Sequence, residues 1–428
     1  MRLPIARRLT PEVQTFPWKP FVVAALAFTL TVGALTGAID LWNLRVLMKP
    51  VPIDHHRGHA FAQLFGFLGL FTMGMSLQLA PRFFGARPAT RADRRMMAWC
   101  GIPGVVLLVA GRLGSLIPYA DVLSVGGAVL VLAAMTAWAG LLARCRRQGG
   151  APEALHWFLL AGVGWWVLAA VVLTAWTLGQ ALGGPLLRVP LDAIWALGLF
   201  GGTGSWLWGI FMRAGICTLH VKRPSERAQR RLFIAWQGAA AFAALAPWFE
   251  SAWLNGVQHL LAAGAVFVVI GTLRPFSGDG LELEKSVAPR AVQAGLVFLL
   301  IFAGLSVWSA LAGFGFFAPP LLHDATRHAF TLGGMTLLVL GFAGRMVPGF
   351  SGQQLAWVRG YDAGVFAVIG AAALRLCELF SMTRAGLALS GASGGLAFLG
   401  LALIAGSLLR SMRWHVETLS PGGERAVA

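Results

Sequence analysis

The stretch DHHRGH, residues 54–59, places His55, His56 and His59 within five residues, directly ahead of a long apolar run. Neutral imidazole is a common ligand for haem iron and for copper, and a histidine in hydrocarbon requires a partner. His323 and His328 open a second apolar run, and His259 lies roughly 10 Å into a third at 1.5 Å per residue. Two imidazoles from two helices can clamp one iron, and a third nearby can hold a second metal or a small ligand. On residue type and placement, His59, His259 and His328 are the candidate metal ligands. Hydrogen-bonded interior histidines are the plainer alternative, and His55, His56 and His323 read better as solvated groups at the ends of the runs. Arg375 and Glu378, at i and i+3, share a helix face and can form an ion pair or a step for protons. Asp40, Asp121, Asp192 and Glu250 stand near the same ends as the histidines. Trp165, Trp166, Trp206 and Trp208 lie within apolar runs, where indoles can wall a flat cofactor or simply pack.

The elements that must carry these residues are membrane spans. Hydrophobic residues make up 57% of the 428 and charged residues 12%, against about 25% charged in a soluble domain. Mean hydropathy is +0.72. Apolar runs fall near 20–44, 59–82, 96–117, 120–143, 155–182, 190–213, 231–249, 252–273, 289–314, 325–347, 361–381 and 389–410, each long enough to cross a bilayer. The class is an all-α polytopic bundle forming one integral membrane domain, with tails at 1–19 and 411–428. The first run follows no small-residue cleavage site and reads as an uncleaved helix. The net charge of +17 does not point to nucleic acid, because the Lys and Arg sit in short loops between spans. Most of them fall on one side, in segments such as RFFGARPATRADRR, RCRR and VKRPSERAQRR. The positive-inside rule then places both tails in the cytoplasm and the chain in the inner (cytoplasmic) membrane. Cys100, Cys145, Cys217 and Cys377 are scattered without CxxC or CxxCH, which argues against a zinc ribbon and covalently attached haem.

The tenth span echoes the second. HAFAQLFGFLGLFTMGMSLQLAPRFFG starts at His59 and HAFTLGGMTLLVLGFAGRMVPGFSG at His328; both open H-A-F and close P-x-F-x-G. They are eight spans apart, an even number, so both run in one direction, as parallel repeats would. These two spans resemble the NnrS family of twelve-span membrane proteins containing haem and copper. There the second span begins W-H-A-H-E-M-L-F-G-F and ends G-F-L-L-T-A-V-P-N-W-T-G. His59, Leu64, Phe65, Gly66, Phe67, Gly74, Pro81 and Gly85 match in register, and HAFTLG from His328 matches the family's H-A-L-T-x-G.

The resemblance implies haem held by His59 and His328, with His259 as a second ligand or metal contact. It also implies a small gaseous ligand, nitric oxide, and a role in nitric oxide metabolism or nitrosative stress. A haem-dependent oxidoreductase acting on nitric oxide is the enzyme class it points to, with lipid as the surrounding partner and the electron donor unnamed. The family's other second-span histidine is Phe61 here, its glutamate is Ala62, and its late histidine is Phe350. The implied metal complement is therefore reduced, for instance to haem without copper. The family is similar in layout to the catalytic subunit of haem–copper oxidases, whose six-histidine set is missing here. An oxygen-reducing oxidase is not expected. Twelve spans also suit a transporter of a small solute or metal ion, or an assembly subunit without cofactor.

Overall fold

The structure is a computed structural model that describes residues 16–114, 118–183, 190–277, 287–380 and 383–412. Most of the two expected tails lies outside these residues. Twelve long helices account for nearly all of the described chain, and no strand occurs among the described residues. They are α1 (Lys19–Arg45), α2 (Ile53–Phe84), α3 (Arg91–Leu113), α4 (Ala120–Gln148), α5 (Ala154–Ala181), α6 (Leu191–Leu219), α7 (Glu226–Phe249), α8 (Ala252–Leu273), α9 (Ala288–Gly313), α10 (Leu322–Phe350), α11 (Val358–Leu376) and α12 (Arg384–Arg410). All but α11 are long and apolar enough to cross a membrane. The exception carries Arg359, Asp362 and Arg375 in 19 residues.

Each expected apolar run corresponds to one helix. The helices extend beyond the runs where polar caps continue them: Thr90 and Asp93 form a reciprocal capping box before α3, Ser225 caps α7, and Thr383 caps α12. At the other end of α2, Gly85 adopts the left-handed conformation (φ 65°) and stops the helix just beyond Pro81.

Three helices are interior. The most apolar stretches of α2, α6 and α10 are 89%, 83% and 78% buried, against 39% to 44% for the other apolar helices. Around them α3, α4 and α5 pack in sequence, as do α7, α8 and α9, and then α11, α12 and α1. The interior helices recur every fourth span, so the repeat seen at α2 and α10 extends to α6. There Asp192-Ala-Ile stands where the others have His-Ala-Phe. All three contain a π-helical stretch near this end: Ala62–Gly69, Ala196–Gly204 and Ala329–Thr336. The glycines within these stretches admit bulky side chains from neighbouring helices. A Cβ on Gly66 would meet Phe28 at 2.7 Å, and one on Gly333 would meet Phe298 at 2.4 Å. Helix-to-helix packing therefore accounts for these glycines.

Candidate functional site

At the end of the bundle where α2, α6 and α10 begin, ionisable side chains from α1, α2, α10 and α11 come together, with Glu378 just past α11. His59 is turned towards α1, and its Nδ1 lies 2.7 Å from the Gly33 carbonyl. A carbonyl only accepts, so Nδ1 carries the proton and Nε2 keeps its lone pair. Gly33 lies in a π-helical stretch of α1, Thr29–Leu35, a kind of local unwinding often found at functional sites. Gly37 provides the space for the imidazole, since a Cβ there would stand 2.5 Å from the ring carbon Cε1.

His328 on α10 is set in the same way. Its Nδ1 donates to the Asp324 carbonyl at 2.9 Å and faces the Asp324 carboxylate at 3.3 Å, which again leaves Nε2 as the basic nitrogen. The side chain is 29% exposed. The two histidines are within electrostatic range of one another, and His56 and Asp40 share that neighbourhood. An imidazole whose Nδ1–H is fixed by a carbonyl or carboxylate while Nε2 stays basic is the usual arrangement of a metal-binding histidine.

Behind His328 lies a buried ion network. Arg375 pairs with Asp324 and, at 3.1 Å, with Glu378; it also donates to Ser390 Oγ at 2.7 Å. Ser390 donates in turn to Glu378 at 2.8 Å. Arg45, at the end of α1, stands 3.6 Å from Asp324 and 3.4 Å from Glu378. Two guanidinium groups thus balance two carboxylates, as burial requires. Asp40 is also buried and faces His55 Nδ1 at 3.5 Å. The expected Arg375–Glu378 pair is present, with Glu378 in a short 3₁₀ turn just past α11.

The other candidates are distributed around this centre. His55 and His56 belong to the first turns of α2, not to a loop, with His56 exposed and His55 held by Asp40. His259 on α8 stands beside His323, which accepts from Arg327 at 2.7 Å; Arg327 reaches Asp192 at 3.4 Å. His259 thus joins a polar group with His323, Arg327 and Asp192. Asp121 pairs with Arg112 at 3.0 Å, and Glu250 occupies a left-handed turn between α7 and α8. Phe61 is fully buried against Trp176 and Trp195, at centroid distances of 5.7 and 5.3 Å. Phe350 packs on Trp18. Trp166, Trp206 and Trp208 are core residues, and Trp165 donates to Gln237 at 2.6 Å.

Arg45, Asp324, Ser390 and the two α1 glycines were not singled out from the sequence. Asp324 carried a signal, standing four residues before His328 on one helix face. The others meet the site only through packing of distant helices. Among the described residues, no cluster of three or more His, Cys, Asp or Glu is arranged to hold a metal ion. The chain matches no model of a known protein family, and no curated protein is significantly similar to it.

Proposed function

We propose that this multi-span membrane protein binds haem between His59 and His328 and acts on nitric oxide, or in the response to it. The observation that carries the haem reading is the matched setting of the two imidazoles: each has Nδ1–H fixed by a backbone carbonyl and a basic Nε2, on two interior helices at one end of the bundle. The donor set suits an iron with two axial nitrogens. Haem would bring a redox-active iron with affinity for nitric oxide. The protein's own part is to fix both imidazole tautomers, through Gly33 and Asp324, and to balance charge through the Arg45–Asp324–Arg375–Glu378 network. The nitric oxide assignment rests on the likeness of α2 and α10 to NnrS proteins.

Copper is not part of the proposal. The position of the family's second histidine is Phe61, enclosed by aromatic rings, and the described residues offer no three-ligand cluster.

The test is the visible spectrum of the purified protein. A Soret band is expected, and nitric oxide added anaerobically to the reduced protein shifts it. His59→Ala and His328→Ala each abolish or shift the band, while His55→Ala and His56→Ala leave it in place. Protein that stays colourless when expressed with ample haem, or a band indifferent to His59→Ala, overturns the reading.

A further inference from the structure

We propose that a shallow groove on the outer face of α3 and α4 holds one anionic phospholipid, with its phosphate at Arg95 and an acyl chain lying along Met96, Trp99 and Ala137. The groove is open and almost wholly apolar. It is bordered by Ala92, Asp93, Arg95, Met96 and Trp99 of α3 and by Ala137 of α4. The sequence of the two helices makes it. Further along, they touch backbone to backbone: a Cβ on Gly127 would stand 2.3 Å from the Leu108 nitrogen, and one on Gly104 would stand 2.9 Å from the Val131 nitrogen. Towards the arginine-rich end, α4 offers only the methyl of Ala137 and then Gly140, where a Cβ would meet nothing within 4 Å. On α3 the long side chains stand out instead. Met96 is 50% exposed and Trp99 75%, and Val106, two turns past Trp99, continues the same exposed stripe.

Charge and depth select the occupant. Asp93 is spoken for: it accepts from the Thr90 backbone and hydroxyl at 2.9 and 2.6 Å, and Arg144 balances its charge. Arg95 is exposed and makes no ion pair or hydrogen bond among the described residues, and the same holds for Arg91 one turn earlier on that face. The rim of the groove is therefore positive, while its floor asks for no hydrogen bond. Trp99 lies eight residues into α3 from Arg91, roughly 12 Å along the axis, so the floor reaches the depth of acyl chains while Arg91 and Arg95 stay near the headgroups. A phosphate joined to a hydrocarbon chain matches both parts. A zwitterionic headgroup would set its own cation beside these arginines.

A second copy of the chain fits less well. A two-fold dimer packed through this groove, with its axis along the membrane normal, would bring the same arginines of both copies to one level, like charge against like. The groove also lies at the opposite end of the bundle from His59 and His328, so its occupancy does not depend on haem.

Native mass spectrometry of the full-length protein, released from detergent after incubation with phosphatidylglycerol or phosphatidylcholine, tests the proposal. One phosphatidylglycerol is expected to stay bound in preference to phosphatidylcholine. Arg95→Gln lowers that retention about fivefold, the effect of one arginine on an anionic lipid at a membrane surface, and Arg95→Lys preserves most of it. Arg230→Gln, the same change of charge at an exposed position of α7, leaves it unaltered. Ala137→Phe fills the floor and lowers retention with Arg95 still in place. Added bulk can disturb packing, so the exposed Arg95 variants decide the matter if Ala137→Phe does not fold. Equal retention of the two lipids, or equal losses in Arg95→Gln and Arg230→Gln, overturns the proposal. So does a dimer that Ala137→Phe dissociates, since the groove would then belong to a second copy. The visible spectrum plays no part in these outcomes, so this proposal and the haem reading fail separately.

Discussion

Gly37 offers a way to move the His59 ring without altering the ring. A methyl group at this position would stand 2.5 Å from Cε1 and 2.7 Å from Nδ1, far inside contact distance. The imidazole cannot yield and also keep its 2.7 Å bond to Gly33. Gly37→Ala is therefore expected to break that bond, at about 1 kcal/mol for a typical hydrogen bond, and to release the Nδ1 tautomer. If the ring ligates iron, the visible spectrum changes with Gly37→Ala nearly as much as with His59→Gln. Gly140, where a Cβ meets nothing within 4 Å, is the control, and Gly140→Ala leaves the spectrum unaltered. An unaltered spectrum in Gly37→Ala would show that the exact seat of His59 is immaterial. At this scale the sequence singles out two histidines and is silent about their orientation. The motif H-A-F marks His59 and His328, but the atoms that fix their tautomers come from α1 and from one turn back on α10.

The helix ends that meet behind His328 form one electrostatic unit. Glu378 is fully buried and Arg375 is 6% exposed, so removing either leaves a buried network of two cations and two anions with one charge unbalanced. The loss is about 3–5 kcal/mol for a buried pair. Arg375→Met and Glu378→Leu are each expected to lower the thermal unfolding midpoint in detergent strongly, and the double variant to cost clearly less than the sum. Additive losses would mean that the two side chains act independently. Half of this unit was legible, since Arg375 and Glu378 are spaced to share a face. The other half was not. Asp324 lies 51 residues from Arg375, and Arg45 closes the α1 sequence with nothing local to mark it. Helix positions were readable because a span needs an unbroken apolar run. The interior rank of α6 was hidden, because its Asp192-Ala-Ile shares only one residue with His-Ala-Phe. Burial of α2, α6 and α10 is a property of how twelve helices surround three, and hydropathy does not encode it.

The whole molecule is polarised between its two ends. One end holds His55, His56, His59, Asp324 and Glu378. The other holds the loops with Arg87, Arg91 and Arg94, then Arg144, Arg146 and Arg147, then Lys222, Arg223 and Arg227. Polar groups at that second end serve structure: Arg223 bridges to Glu153 at 2.5 Å, Arg144 pairs with Asp93, and His156 stacks on Phe84 while bonding to the Phe83 carbonyl at 2.9 Å. Arg223 also holds the Glu153 carboxyl below its usual range, so this clamp between loops persists at neutral pH. Twelve helices return the chain to the end where it started, and the positive-inside rule expects loops this rich in arginine on the cytoplasmic face. Alkaline phosphatase fused after residue 222 or after residue 412 is therefore expected to be inactive, and fused after residue 183 to be active. In that orientation the histidine end faces away from the cytoplasm. The reverse pattern of activity would place His59 and His328 against the cytoplasm and make the source of any electrons cytoplasmic.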